Sequence, residues 1–340
     1  MKSPDFLIVG WGLAGVNMAW QLYFNNHSFV VYDSTKNYST NTAAGIVNPI
    51  VFKRLTKSWQ ADKLMPYAEN FYKKVEMALK DNIITPKHIF KIFNSFEDEN
   101  NWMVKQSDDR FNAYLLPTNT NFEIYGINAP YGYGEVKTFG NLDTVKFLKK
   151  SKLFFLEKGH KFINHSFDYN VSRIDINIIF CEGYDIVNNP FFNYLPLKPT
   201  HGDTLIIKTK ALKFKDIINK NMFIMHIKDD LYKIGATYNW SLKTPVCTKE
   251  GKNELIDKLN QFANFEYSVV SQQAGIRPTV KDRRPLLGTH PENKRLHVFN
   301  GLGTKGVMIA PYYSEKLLKH IVNKEEIDKE INITRYEKYL

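Results

Sequence analysis

Residues 6–24 read FLIVGWGLAGVNMAWQLYF, and SFVVYD follows at 28–33. A lone Lys2 ahead of an apolar run resembles the start of a secretion signal. The run itself argues otherwise. Gly10, Gly12, Gly15, Asn17 and Gln21 interrupt it, and a hydrocarbon core disfavours such residues. No small-residue cleavage site follows. Phe6 to Val9 make a short apolar strand, and a glycine turn comes next. Leu13, Val16, Trp20 and Tyr23 then recur at helical spacing, and a second apolar burst ends in Asp33. The stretch therefore spells one strand–helix–strand unit rather than a membrane span.

Gly10, Gly12 and Gly15 form G-x-G-x-x-G at the turn. The first glycine permits a tight turn, the second a close approach of backbone to a pyrophosphate, and the third close packing of helix on strand. The helix start at Leu13 and Ala14 offers unpaired N–H groups and a positive dipole end to phosphates. Asp33, eighteen residues beyond Gly15, stands with Ser34 where a carboxylate accepts hydrogen bonds from ribose hydroxyls. Strand, glycines and acid together predict a dinucleotide site.

Composition sets wider limits. The 340 residues, 43% hydrophobic and 14% aromatic, suffice for a large core, and no low-complexity block interrupts them. No later segment is long and apolar enough to span a bilayer, so a protein without membrane partners is expected. Two cysteines, Cys181 and Cys247, are too few for a disulfide framework or a metal site, and they suit a reducing cytoplasm. The net charge of +11 is spread along the chain without an arginine-rich arm or nucleic-acid module. A basic surface is the simpler reading, and a nucleic-acid partner is not expected.

Further elements alternate along the chain. A helix is expected around 58–80, a strand at HIFKIF (88–93), and a helix near SFEDENNWMV. Strand-like pieces follow at FEIYGI and YGYGEVKTF. A helix starting at Asn141 or Asp143 should stop at Gly159. INIIFCEG (176–183) reads as a buried parallel strand ending at Gly183. MFIMHI and LYKIGAT flank IKDDL as a hairpin, and a helix lies near 249–263. Finally, LHVFN is a strand, GLGTKG a glycine loop and VMIAPYYSEKLLKHIV a helix. Parallel-sheet elements at the start, middle and end, with antiparallel strands between, imply two interleaved domains.

The first unit suits NAD and FAD equally, but NGLGTKGVMIAP (300–311) separates them. Gly301, Gly303 and Gly306 make a second strand–glycine loop–helix element that an NAD enzyme does not need. In a flavoenzyme, a helix N-terminus aimed at the pyrimidine ring stabilises the negative charge that appears on reduction. Here AGIRPTVKDRRPLLG (274–288) followed by VFNGLGTKGVMIAP resembles the C-terminal signature of the D-amino-acid-oxidase-like FAD family. That family includes glycine oxidase, sarcosine oxidase and the oxidase domain of a bifunctional tRNA wobble-uridine modification enzyme. STNTAAGIVNP (39–49) resembles its second flavin-facing segment, IIFCEG its adenine-side strand and LYKIGAT its substrate-domain strand.

The resemblance implies an α/β fold: a Rossmann-like FAD-binding domain of the glutathione-reductase type with an interleaved antiparallel substrate domain. Residues 1–82, 137–200 and 275–340 would form the first, and 83–136 and 201–274 the second. FAD would meet Gly10, Gly12, Leu13, Ala14, Gly15, Asp33, Ser34, Ala43, Ala44, Gly45, Gly183, Gly301, Gly303, Thr304, Lys305 and Gly306. The chain would oxidise the C–N bond of a small amine or amino acid by hydride transfer to flavin N5, followed by imine hydrolysis. Arg277 would hold the substrate carboxylate, because a planar guanidinium fork matches it bidentately. Lys305 either bears on the flavin O2 edge or on oxygen reactivity, or extends to solvent, and Tyr238 and Trp240 are candidate pocket walls. Arg54 and Trp59 follow the second flavin segment closely, Arg283 and Arg284 read as structural, and His201 is given no role as a base. No metal cluster is legible. Two rivals stand beside this reading: oxidation of a carboxymethylaminomethyl-modified tRNA base, and flavin binding without turnover.

Overall fold

The computed structural model describes residues 4–34, 38–120, 123–124, 127–170 and 175–339. Two large sheets share the chain. The first contains six strands in the order Lys161–Ile163, Phe29–Tyr32, Phe6–Val9, Asn177–Phe180, Leu296–Asn300 and Leu286–Thr289. Its neighbours run parallel except the last pair. Parallel strands covered on both faces need continuous apolar runs, and Phe6–Val9 is buried at every position. Phe6 and Ile8 feed one core, whereas Leu7 and Val9 feed another on the opposite face. The mixed α/β class expected from the sequence is the one observed.

Helix Leu13–Phe24 covers the first of these faces and packs against the long helix Gly306–Asn323. Trp20 is fully buried, its indole donating to Ser151 Oγ at 2.8 Å. The two amides that argued against a membrane span have internal partners. Asn17 Nδ2 donates to Leu13 O, and Gln21 Nε2 donates to Pro311 O at 3.0 Å. Among the described residues no helix is long and apolar enough to cross a membrane.

The second sheet has eight strands: Ser268–Arg277, Thr200–Lys208, Leu231–Gly235, Phe223–Lys228, Ile217–Asn219, Ile89–Ile92, Tyr133–Val136 and Leu115–Asn119. Neighbours are antiparallel except Ile217–Asn219 beside Ile89–Ile92. The hairpin across IKDDL is present, and so are the helices Ala61–Leu79, Phe96–Gln106 and Lys249–Asn260. Of the two candidate starts for helix Thr144–Glu157, Asp143 is the cap, accepting from Lys146 N at 2.9 Å. The sequence places residues 275–277 with the nucleotide segments. They instead finish a strand of the eight-stranded sheet, because Thr200–Lys208 pairs with it as far as Arg277. In FEIYGI, Phe122, Tyr125 and Gly126 fall outside the described residues, as does Lys2; 123–124 and 127–128 pair as a separate small ladder.

The strand next to the edge of the six-stranded sheet carries a titratable group with a stability consequence. His297 is buried; its Nδ1 meets Thr289 Oγ1 at 2.9 Å and its Nε2 meets Asn177 Oδ1 at 3.3 Å. Burial, then the nearby His320, Lys324 and Arg295, push its pKa from 6.5 down to about 3. The folded imidazole therefore stays neutral where the unfolded one takes a proton. Its contribution is complete above pH 6.5 and is lost as pH falls from 6.5 toward 3. Urea midpoints measured across this window should fall, and His297→Gln should flatten part of the slope.

Candidate active site

A cavity of about 850 Å³ runs between the two sheets. At one end its wall is the first glycine turn: Gly10, Gly12, Leu13 and Ala14, with Asp33 and Ser34 beside them. Gly10 has φ +99°, and a Cβ there would lie 2.6 Å from Cys181 O. Gly15 stands behind the wall, where a Cβ would lie 2.0 Å from Gly10 O; it lets the helix sit on its own turn. Gly12 caps the helix without a side chain, and the first turn carries no acidic residue. Trp11 N donates to Asp33 Oδ1 at 3.2 Å, fixing the turn to the end of the second strand.

Ala43, Ala44 and Gly45 also line the cavity. Gly45 has φ +70° and a Cβ there would fall 1.8 Å from Leu142 O, so the chain must carry glycine. The short helix before it, Tyr38–Thr42, ties the two layers together. Ser39 Oγ donates to Ile276 O, and Thr42 Oγ1 donates to Ala274 O at 3.0 Å. Thr40 holds the first helix, accepting from Leu13 N at 3.1 Å. One segment thus locks the first glycine turn to the strand that ends in Arg277.

Arg277 lines the far end of the cavity. Its Nη1 donates to Thr237 O at 3.3 Å and His201 O at 3.4 Å, and Tyr238 lies against the guanidinium with its ring centroid at 4.5 Å. Among the described residues no carboxylate pairs with it. Burial lowers its pKa, with Tyr238 opposing. The guanidinium nevertheless remains charged, because the unperturbed group titrates so high. Gly202 makes the room: a Cβ there would sit 2.4 Å from Arg277 Nη1. A half-buried charge without a carboxylate partner is costly, and it leaves the guanidinium open to an anion in the cavity.

The last glycine loop supplies Gly303, Thr304, Lys305 and Gly306 to the same cavity. Gly301 does not reach it; its positive φ of +71° turns the chain, and a Cβ there would meet Val280 and Leu286. Asn300 Nδ2 donates to Gly183 O at 2.8 Å, holding Gly183 in the wall. Lys305 Nζ donates to Asn48 O at 2.6 Å, and desolvation lowers its pKa to about 8. It therefore points inward rather than to solvent. Helix Gly306–Asn323 starts here without a side-chain cap or an acid in its first turn.

Other candidates separate. Tyr238 lines the mouth and is 59% exposed, whereas Trp240 is exposed outside the lining with Lys198 over its ring. Arg54 is exposed and also outside the lining. Trp59 stacks on Tyr313 and carries the Arg284 guanidinium over its ring at 4.6 Å from the centroid, while Arg284 pairs with Glu330. His201 is buried with Nε2 against Val246 O, behind the wall. Cys181 is buried, and desolvation raises its thiol pKa, so it is no nucleophile.

The family model described as FAD dependent oxidoreductase matches residues 5–318. The chain belongs to the FAD-dependent oxidoreductases. A tRNA 5-methylaminomethyl-2-thiouridine biosynthesis bifunctional protein from Acinetobacter baylyi is 22% identical over 94% of this chain and 53% of its own length. A glycine oxidase from Bacillus subtilis is 28% identical over 40% of this chain and 38% of its own. The chain thus spans about half or less of the curated relatives it matches. A Bacillus cereus glycine oxidase structure superposes with TM-score 0.79 at 15% identity, covering 95% of this chain and 96% of that one. An iminodiacetate oxidase from Chelativorans gives TM-score 0.79 at 17% identity, covering 97% and 98%.

The wall of this FAD-dependent oxidoreductase fits its family's cofactor. Gly10 leaves a cradle that a Cβ would fill, and two uncapped helix starts, at Leu13 and Gly306, border one cavity. Sequence reasoning missed Asn48, Gly202 and Glu182. A glycine within a strand pattern, as in THGDTL, marks a close approach and could have flagged Gly202. For Asn48, whose backbone carbonyl is what matters, the sequence holds no signal.

Proposed function

We propose that this FAD-dependent oxidoreductase oxidises the C–N bond of a small amine bearing a carboxylate, an amino acid or an N-substituted one. The carrying observation is Arg277: a charged guanidinium in the cavity wall, held by two backbone carbonyls and an aromatic face, with no carboxylate partner among the described residues. In this reading 1–82, 137–199 and 278–340 form the Rossmann-like, glutathione-reductase-type part, and the eight-stranded sheet is the substrate part.

Gly10, Gly12, Leu13 and Ala14 would receive the diphosphate of FAD, Asp33 and Ser34 its ribose, and Ala43–Gly45 with Gly303–Gly306 its flavin. Bound FAD supplies the two-electron acceptor for hydride transfer. The chain's own part is binding and alignment. Arg277 fixes the carboxylate bidentately, Tyr238 rigidifies Arg277 and narrows the mouth, and Phe52, Ile89, Ile217 and Phe223 exclude water around the substrate carbon. Lys305 places a positive charge in the wall near the last helix start, where negative charge is stabilised. The substrate amine binds neutral, so no protein base is required, and the imine product hydrolyses in water. Two free cysteines support a reducing, cytoplasmic setting.

The proposal is tested by incubating aerated holoprotein, with an artificial electron acceptor added, with glycine, sarcosine, D-alanine and D-proline. Amine and oxo-acid release is assayed, or the cyclic imine and its ring-opened amino oxo acid from D-proline. Release from at least one is expected; release from none, with the flavin bound, would overturn the small-substrate reading. A second reading, oxidation of a carboxymethylaminomethyl group on tRNA, is favoured by the 94% coverage by the tRNA-modification relative and by the net charge of +11. Salt-sensitive tRNA binding would support it.

A further inference from the structure

Beside the glycine turn the cavity wall holds a carboxyl group that neither the sequence motifs nor the proposed chemistry uses. Glu182 follows strand Asn177–Phe180, and its backbone packs on the turn: a Cβ on Gly10 would lie 3.3 Å from Glu182 Cα. The side chain is held at both oxygens. Tyr169 OH donates to Oε1, and Asn189 Nδ2, itself fully buried, donates to Oε2 at 2.7 Å. A carboxylate in the wall that receives a diphosphate opposes it electrostatically unless it carries a proton.

We propose that Glu182 is a proton-controlled determinant of FAD affinity: as the neutral acid it tolerates the phosphates, and its ionisation weakens their binding. The surroundings favour the acid form. Burial and the charge of Asp185 outweigh the hydrogen bonds from Tyr169 and Asn189, leaving the group at about 7. The other titratable groups among the described lining residues around the glycine turn are Tyr32, Asp33, Cys181, Tyr184 and His165. Cys181 stays protonated because burial raises it. His165, an exposed residue of the same lining with Nδ1 at Ser166 O, is the competing source of a pH effect of the same sign, since an imidazolium attracts phosphate.

The sign follows from linkage. Diphosphate beside Glu182 raises its pKa further, so FAD binding above pH 7 takes up a proton and the Kd rises with pH. Titrating the flavin-free chain with FAD, followed by flavin fluorescence at pH 6, 7, 8 and 9, should show Kd rising up to about tenfold per unit above pH 7. Glu182→Gln should bind FAD with a nearly flat profile at the affinity the native chain shows at pH 6. A slope that persists in Glu182→Gln and disappears in His165→Gln would overturn the proposal, as would a flat native profile. If Glu182→Gln does not fold, calorimetry of native FAD binding at pH 8 in buffers of different ionisation enthalpy decides. Uptake approaching one proton supports the proposal, and none overturns it. Failure to bind FAD at any pH would instead contradict the assignment of the glycine turn itself.

Discussion

Replacing Arg277 by alanine should lower kcat/KM for the carboxylated amine by about 30- to 1000-fold, mostly through KM, while FAD stays bound. The range corresponds to roughly 2–4 kcal/mol for removing one partner of a desolvated charge pair. Arg277 stands in the cavity wall but at the end of the eight-stranded sheet, away from the glycine turn, so the cofactor need not feel its loss. Its placement is over-determined by Thr237 O, His201 O, the Tyr238 ring and the space at Gly202. Arg277→Lys should recover only part of the activity, because an ammonium cannot match both carboxylate oxygens in one plane. Steady-state kinetics beside the visible flavin spectrum check both statements. An unchanged KM in Arg277→Ala would remove the carboxylate assignment.

Gly15→Ala should cost at least about 3 kcal/mol and abolish FAD retention. The added Cβ would fall 2.0 Å from Gly10 O, a backbone atom that cannot rotate away. Helix Leu13–Phe24 would have to lift from strand Phe6–Val9, opening the core around Val16 and Trp20 and displacing the helix start from the cavity. The melting temperature should drop by roughly 4 °C or more for a chain of this size, at about 1.4 °C per kcal/mol. Gly303→Ala makes an instructive contrast: nothing lies within 4 Å of its Cβ, so only the strain of φ +54° is expected. Thermal unfolding with and without added FAD separates the packing loss from the cofactor loss.

The parts of this molecule that are local in sequence were legible there. The glycine turn, the acid at Asp33 and the second loop at 301–306 each combine a strand pattern, glycine spacing and a helix start within some twenty-five residues, and such signals survive without tertiary information. Arg277 was legible only through family resemblance, since nothing in its neighbours shows that Gly202, 75 positions away, makes room for it. Trp59 and Arg54 could not be placed from sequence because closeness to Ala43–Gly45 does not fix direction; the chain turns, and Trp59 meets Tyr313. Lys305 and Glu182 carry the same lesson for electrostatics. Both are ordinary charged residues in the sequence, and only burial in one cavity wall moves their pKa values to about 8 and about 7.

The measurement that bears most directly on the proposed function is the visible spectrum of purified holoprotein, recorded anaerobically before and after addition of glycine, sarcosine, D-alanine or D-proline, in the native chain and Arg277→Ala side by side. The flavin band should bleach in the native chain with at least one of these, and only at much higher concentration in the variant. A native flavin that no carboxylated amine reduces, or a variant that bleaches at the same concentration as the native chain, would contradict the proposed oxidation at an Arg277-anchored carboxylate.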